Sequence, residues 1–166
     1  MDCHTQRDFS LYSAPIKKDS LGAGGAKFGK EDGAPGTIYL KNITPYSLKG
    51  WTDGEIYRAI TTGVSKDGDA LVPVMPFHNY AKMDPEDIYS IIAYLRSIPE
   101  IKNDVPKSQL DFPLNFIVNT LPKKVEPGSM PDTNNSVAYG KYLVNAASCM
   151  HCHSKENMDG IIPGTE

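Results

Sequence analysis

Cys149-Met150-His151-Cys152-His153 reads C-x-x-C-H: two thiols three positions apart, with an imidazole directly after the second. Both thiols of that pattern can reach the vinyl groups of one porphyrin while the histidine falls under its iron, so the pentapeptide points to covalently attached haem. A chance cluster, a zinc knuckle and a thioredoxin-like thiol pair are the competing readings of the same residues. The cofactor also bears on the fold, because a large apolar group can fill the centre of a small domain whose own core is thin.

The other end of the chain repeats part of the pattern. Met1-Asp2-Cys3-His4-Thr5 laid on Met150-His151-Cys152-His153-Ser154 makes Met, Cys and His coincide and sets Thr against Ser. The residue matching Cys149 would precede Met1. The economical expectation is two haem motifs, the first cut through its leading cysteine, with Met1 an internal residue.

The chain has 166 residues, of which 40% are hydrophobic and 9% aromatic, enough for a core. Its 13 prolines and 14 glycines predict much irregular backbone. A net charge of -3, with no long basic run, argues against nucleic acid as a partner. No run approaches the roughly 18 apolar residues of a spanning helix, so membrane association is expected only through flanks outside this sequence. All three cysteines fall in the two motifs, leaving none for a disulfide framework. Covalent haem places the chain in the periplasm or on the outer face of the cytoplasmic membrane.

Residues 5–48 read as loop, and their glycines lack the G-x-x-x-x-G-K-[ST] context of a phosphate cradle. Thr52 and Glu55 form a capping box opening a short helix that carries Ile56, Ala59 and Ile60 and stops at Gly63. Asp84 and Pro85 open a stronger helix with Ile88, Ile91, Ile92 and Leu95 on its inner face. A third helix is expected over 136–147, with Val137, Tyr139 or Gly140, Leu143, Val144 and Ala147 inward. Between these, six prolines over 98–135 forbid a long helix, yet Phe112 to Leu121 is too apolar for a free tether. That segment is expected to lie against the first domain, with a short helix near 114–119.

An iron held by one histidine has a second face to fill. Met75 is the leading candidate, in the rigid apolar loop Leu71-Val72-Pro73-Val74-Met75-Pro76-Phe77; a gap-filling core methionine is the plain alternative. His78, Met83, Met130 and Met158 are the rivals, and Met158 is too near His153 to reach the opposite face. Trp51 and Tyr46 could donate to a haem propionate and Arg58 could offset its charge, although a core tryptophan and an exposed helical arginine are equally natural. Pro15, or any neighbouring carbonyl, could orient the second ring nitrogen of His4.

Gly50-Trp51-Thr52-Asp53-Gly54-Glu55-Ile56, Arg58-Ala59-Ile60, Gly63 to Gly68, Val74-Met75-Pro76 and Ala93-Tyr94-Leu95-Arg96-Ser97-Ile98-Pro99, with Asn42-Ile43-Thr44-Pro45 before them, together resemble a class I c-type cytochrome. More narrowly the chain resembles multihaem bacterial cytochromes that are subunits or partners of dehydrogenases. The resemblance implies an all-α fold, haem c at two sites in the intact protein, His4 and His153 as proximal ligands, Met75 as a distal ligand, and Cys3, Cys149 and Cys152 as anchors. It implies an electron carrier, not an enzyme, between a dehydrogenase and a membrane oxidase or another cytochrome. A zinc-binding module and a dihaem peroxidase-like enzyme are the alternatives.

The departures from the pattern set the expected organisation. Residues 1–98 form a cytochrome c-like domain lacking its N-terminal helix, residues 99–135 a Pro-rich linker packed on it, and residues 136–166 the start of a second such domain. These halves are complementary, which raises the expectation that the 136–147 helix packs on the 84–97 helix in place of the missing one, with Gly140 at the close approach.

Overall fold

Two polar caps set the principal helices. Thr52 accepts from the Glu55 amide at 3.2 Å while the Glu55 carboxylate accepts from the Thr52 amide at 2.7 Å, starting α2, Asp53–Thr62. The Asp84 carboxylate accepts from the Glu86 amide at 3.0 Å and opens α4, Pro85–Ser97, with Pro85 where no amide partner is needed. One-turn helices precede each: α1, Pro45–Leu48, and α3, Phe77–Tyr80. The computed structural model describes residues 2–157 and 160–161, the side chains of Asp2, His151, Cys152, Glu156, Asn157 and Ile161 excepted.

The core joins these four helices. Leu48, Ile56, Met83, Ile88, Ile92, Leu95 and Ile98 form one buried cluster, and Trp51, Tyr57 and Tyr80 pack against it. Ile88, Ile92 and Leu95 are inward as the periodicity predicts, whereas Ile91 is 39% exposed. Arg96 stitches the far end of α4 to the entry of α2, donating to the carbonyls of Leu48 at 2.7 Å and Trp51 at 2.6 Å and pairing with Asp53 at 2.9 Å.

A small sheet departs from the all-α expectation. Strands β1, Lys27–Phe28, and β2, Gly36–Tyr39, pair antiparallel within the segment read as loop, and β3, Gln109–Leu110, adds to the other edge of β2. Strands this short leave no period-2 pattern to detect, and β3 comes from 73 residues beyond the start of β2 in the Pro-rich segment, so the pairing is a tertiary event. The protein is therefore mostly helical with a minor three-stranded sheet.

The Pro-rich segment is laid down along defined bonds. Asn42 donates to the carbonyls of Ile101 at 2.9 Å and Asn103 at 3.2 Å, the Asn103 amide group donates to the Ala23 carbonyl at 2.8 Å, and Lys41 Nζ reaches the Pro106 carbonyl at 2.6 Å. A short helix, α5, Leu114–Ile117, and a 3-10 turn over Val118–Thr120 follow, close to the expected place.

Helix α6, Ser136–Ala146, docks with a different face from the one expected. Val137 is 82% exposed, and Leu143 and Val144 also face outward, while Tyr142 and Ala146 pack on the core cluster. The Tyr142 hydroxyl accepts from the Asp84 amide at 3.0 Å and donates to the Asp87 carboxylate, which anchors α6 at the start of α4. Gly140 makes no close approach: a methyl group there would meet nothing within 4 Å. A groove lined by Ile91, Tyr94, Tyr139 and Leu143 runs between α6 and α4. Beyond α6 come α7, Met150–His153, and strands β4, Glu156–Asn157, and β5, Gly160–Ile161, paired antiparallel. Among the described residues no helix is long and apolar enough to cross a membrane.

Candidate haem site

His4 is held as a metal ligand needs to be. Its Nδ1 donates to the Lys41 carbonyl at 2.6 Å, which fixes the ring and leaves the Nε2 lone pair as the one that could coordinate a metal. Burial pushes its pKa below the ordinary histidine value, against the opposing pull of that hydrogen bond, so the neutral, ligating form is favoured. The orienting carbonyl belongs to Lys41 and not Pro15, whose carbonyl instead accepts from the Asp8 amide at 2.9 Å.

Around His4 the chain folds closely on itself. The Gly24 amide donates to the His4 carbonyl at 2.8 Å and the next amide, of Gly25, to the Leu40 carbonyl at 2.8 Å. Gly24 has a φ of +66°, and a side chain there would run into the Lys41 backbone, so only glycine permits this crossing next to the orienting carbonyl. Cys3, adjacent to His4, is an exposed free thiol.

Met75 sits half-buried in a loop fixed at both ends. Its amide donates to the Val72 carbonyl at 3.3 Å, its carbonyl accepts from the Phe77 amide at 2.8 Å, and the Leu71 amide bonds the Gly63 carbonyl at 2.7 Å. Phe77, fully buried, lies against Gly63 and locks the end of the loop to α2. Tyr80, on the same short helix, has its phenol pKa raised, chiefly by burial. Two rivals of Met75 lie elsewhere in character: Met83 is buried in the core cluster, and His78 is an exposed residue tilted against the Phe77 ring. Met130 is 48% exposed, and Met158 lies outside the described residues.

The three propionate candidates already have protein partners. The Tyr46 hydroxyl donates to Asp104 at 3.0 Å, Trp51 packs on the core, and Arg58 donates to the carbonyls of Ser65 at 2.7 Å and Lys66 at 3.1 Å.

The second motif forms a helical turn. The His153 amide donates to the Cys149 carbonyl at 3.1 Å, a spacing that puts positions 149, 152 and 153 on one side of the turn. Cys149 is an exposed free thiol and His153 is exposed, while the Cys152 side chain lies outside the described residues. The first donor set fits covalent haem: a thiol next to an imidazole that the Lys41 carbonyl orients. Among the described residues no three of His, Cys, Asp and Glu gather as metal ligands.

Sequence reading alone missed the supports of these groups: the Lys41 carbonyl, Asn42, Asn79, Tyr142 and Asn145. Asn42, two residues ahead of Thr44-Pro45, could have been singled out as a side-chain amide able to brace a proline turn; a main-chain carbonyl leaves no sequence signal at all.

The chain is homologous to cytochrome c subunits of dehydrogenases. It is 31% identical over 139 residues to a nicotinate dehydrogenase subunit from Pseudomonas putida, an alignment covering 78% of this chain and 12% of that protein. It is 30% identical over 133 residues to the cytochrome c subunit of a quinone alcohol dehydrogenase from Gluconacetobacter polyoxogenes, covering 72% of this chain and 28% of the relative. A diheme cytochrome c-type protein of Cereibacter sphaeroides is 27% identical over 135 residues, 76% of this chain and 46% of the relative. No protein-family profile matches the chain. The chain thus spans less than half the length of each of these relatives.

Proposed function

We propose that this chain is part of a class I-type cytochrome c that carries single electrons between a dehydrogenase and a respiratory acceptor, a membrane oxidase or another cytochrome, at the periplasmic side of the cytoplasmic membrane. Haem c, when bound, supplies the one-electron couple. The observation that carries the reading is the His4 imidazole: half-buried and aimed by the Lys41 carbonyl, with its pKa pushed down by burial and Cys3 next to it in the chain. The homology to cytochrome c subunits supports the same assignment.

In this reading Cys3 anchors one haem and Cys149 with Cys152 the other. His4 and His153 would each supply an imidazole to iron, and Met75 would add a thioether at the first site. Two neutral ligands would favour the reduced state of such an iron. The residues move no proton; their work is to keep the ligands still so that an electron passes with little rearrangement. Tyr46, Trp51 and Arg58 are secondary, since each is already committed to protein groups. The second haem would make the intact protein dihaem, as the name of the Cereibacter relative states of that protein.

The test is maturation in a periplasm with its haem-attachment machinery, followed by a visible spectrum and a haem count. The expected product is red, with the weak red-edge band of a thioether on ferric haem. Met75→Ala should abolish that band and lower the potential while the haem stays attached. A colourless protein containing zinc would overturn the proposal.

A further inference from the structure

We infer that Asn79 and Asn145 form a clasp that holds the second haem-attachment segment at a fixed distance from the first site, making both positioning residues for electron exchange between the two. The inference rests on the proposed function for the presence of two haems, but the clasp itself rests on geometry. Asn79 lies on α3, four residues after Met75. Its side-chain Nδ2 donates to the Asn145 carbonyl at 3.3 Å and to the Ser148 hydroxyl at 3.3 Å. Asn145 answers in kind, its Nδ2 donating to the Asn79 carbonyl at 3.0 Å.

Each partner stands next to a haem-bearing group. Ser148 immediately precedes Cys149 and takes a φ of +56°, the left-handed conformation that swings the chain from α6 into the attachment turn. The Cys149 amide bonds back to the Val144 carbonyl at 3.2 Å, so the turn is continuous with α6. On the other side, α3 is locked to α2 through Phe77, whose amide also bonds the Met75 carbonyl at 2.8 Å and closes the Met75 loop.

The arrangement is more than a tether requires. Two asparagines each bonding the other's main chain fix both the separation of α3 and α6 and the rotation of α6 about its axis. The Tyr142 hydroxyl, bonded to the Asp84 amide at 3.0 Å, adds a second anchor one turn earlier. These bonds are half-buried, where water competes less well. Electron tunnelling falls exponentially with separation, so a device that passes one electron from site to site, with no bond made and no proton moved, gains from such fixing. The chemistry selects amides over charged groups, since a neutral clasp leaves the potential of either site unbiased.

The experiment uses the periplasmically matured protein and the variants Asn79→Leu and Asn145→Leu, which keep volume and remove the donors from opposite sides. Three readouts are taken: haem count, amide hydrogen exchange over 144–149, and the iron–iron distance distribution by pulsed electron paramagnetic resonance. We expect an unchanged haem count, exchange faster by about tenfold across that segment, and a broadened distance distribution with slower, multiphasic exchange of electrons between the sites. Unchanged protection and an unchanged distribution in both variants would overturn the clasp. A wild type that takes no second haem would overturn the dihaem reading instead, and the hydrogen-exchange comparison alone would then decide whether the clasp exists. If one variant fails to fold, the other reports on the same bonds from the opposite helix.

Discussion

Gly63 shows how narrowly the Met75 loop is specified. Its φ of +73° ends α2 in a left-handed turn, and an added methyl group would sit 2.7 Å from the buried Phe77 ring. Gly63→Ala should therefore cost about 2 kcal/mol or more, from backbone strain together with overpacking; a denaturant titration checks this, and a loss within error of zero would show that Phe77 can yield. Asn42 makes the complementary case for a polar group. Its side chain accepts from the Thr44 amide at 2.9 Å and hydroxyl at 2.8 Å while donating to two carbonyls of the Pro-rich segment. Asn42→Leu leaves those groups unsatisfied, and a loss of about 3 kcal/mol is expected by the same titration. His4 and Met75 could be singled out in the sequence as candidate ligands, because motif and loop chemistry name side chains; the carbonyl that aims His4 could not, because every residue carries one.

Helices α2 and α4 could be read almost to the residue, since capping boxes and N1 prolines act within four positions. Helix α6 could be located but not oriented. Its most apolar stripe includes Val137, Leu143 and Val144, and hydrophobic periodicity turns that stripe inward. The structure instead buries the side bearing Tyr142 and Ala146, where the phenol is satisfied by the Asp84 amide and the Asp87 carboxylate, and leaves Val137, Leu143 and Val144 exposed. Gly140 follows the same logic. With open space around it, Gly140→Ala should raise stability by about 0.5–1 kcal/mol through helix propensity alone. A thermal melt decides: destabilisation would mean that α6 approaches another backbone at that point after all. The strands escaped notice because two-residue pairings depend on chain segments far apart in sequence.

At the scale of the whole molecule, Asp84 ties the end of the Pro-rich segment to the helical core. Its carboxylate accepts from the Met130 amide at 3.0 Å as well as from Glu86, and these bonds, Met130 first, hold its pKa below the ordinary aspartate value. A carboxyl group depressed on folding stabilises the native state above its unfolded pKa, and that contribution fades as pH falls through the folded value. The urea midpoint of the native chain should accordingly drop more steeply below about pH 4 than that of Asp84→Asn, which keeps a capping oxygen but does not titrate. Parallel pH profiles would remove Asp84 from the acid response.

The bonds from Asn42, Lys41 and Tyr39 to residues 101–108 also bear on where the molecule can be divided. A cut after Ile98 follows the last core residue of α4 and has the look of a natural seam. It would nevertheless strip the outer support from the segment whose Lys41 carbonyl aims the His4 ring, while leaving His4 and Met75 themselves in place. The smallest excisable unit that keeps the His4 support is thus larger than its helices, and for recombination or grafting the seam belongs beyond β3.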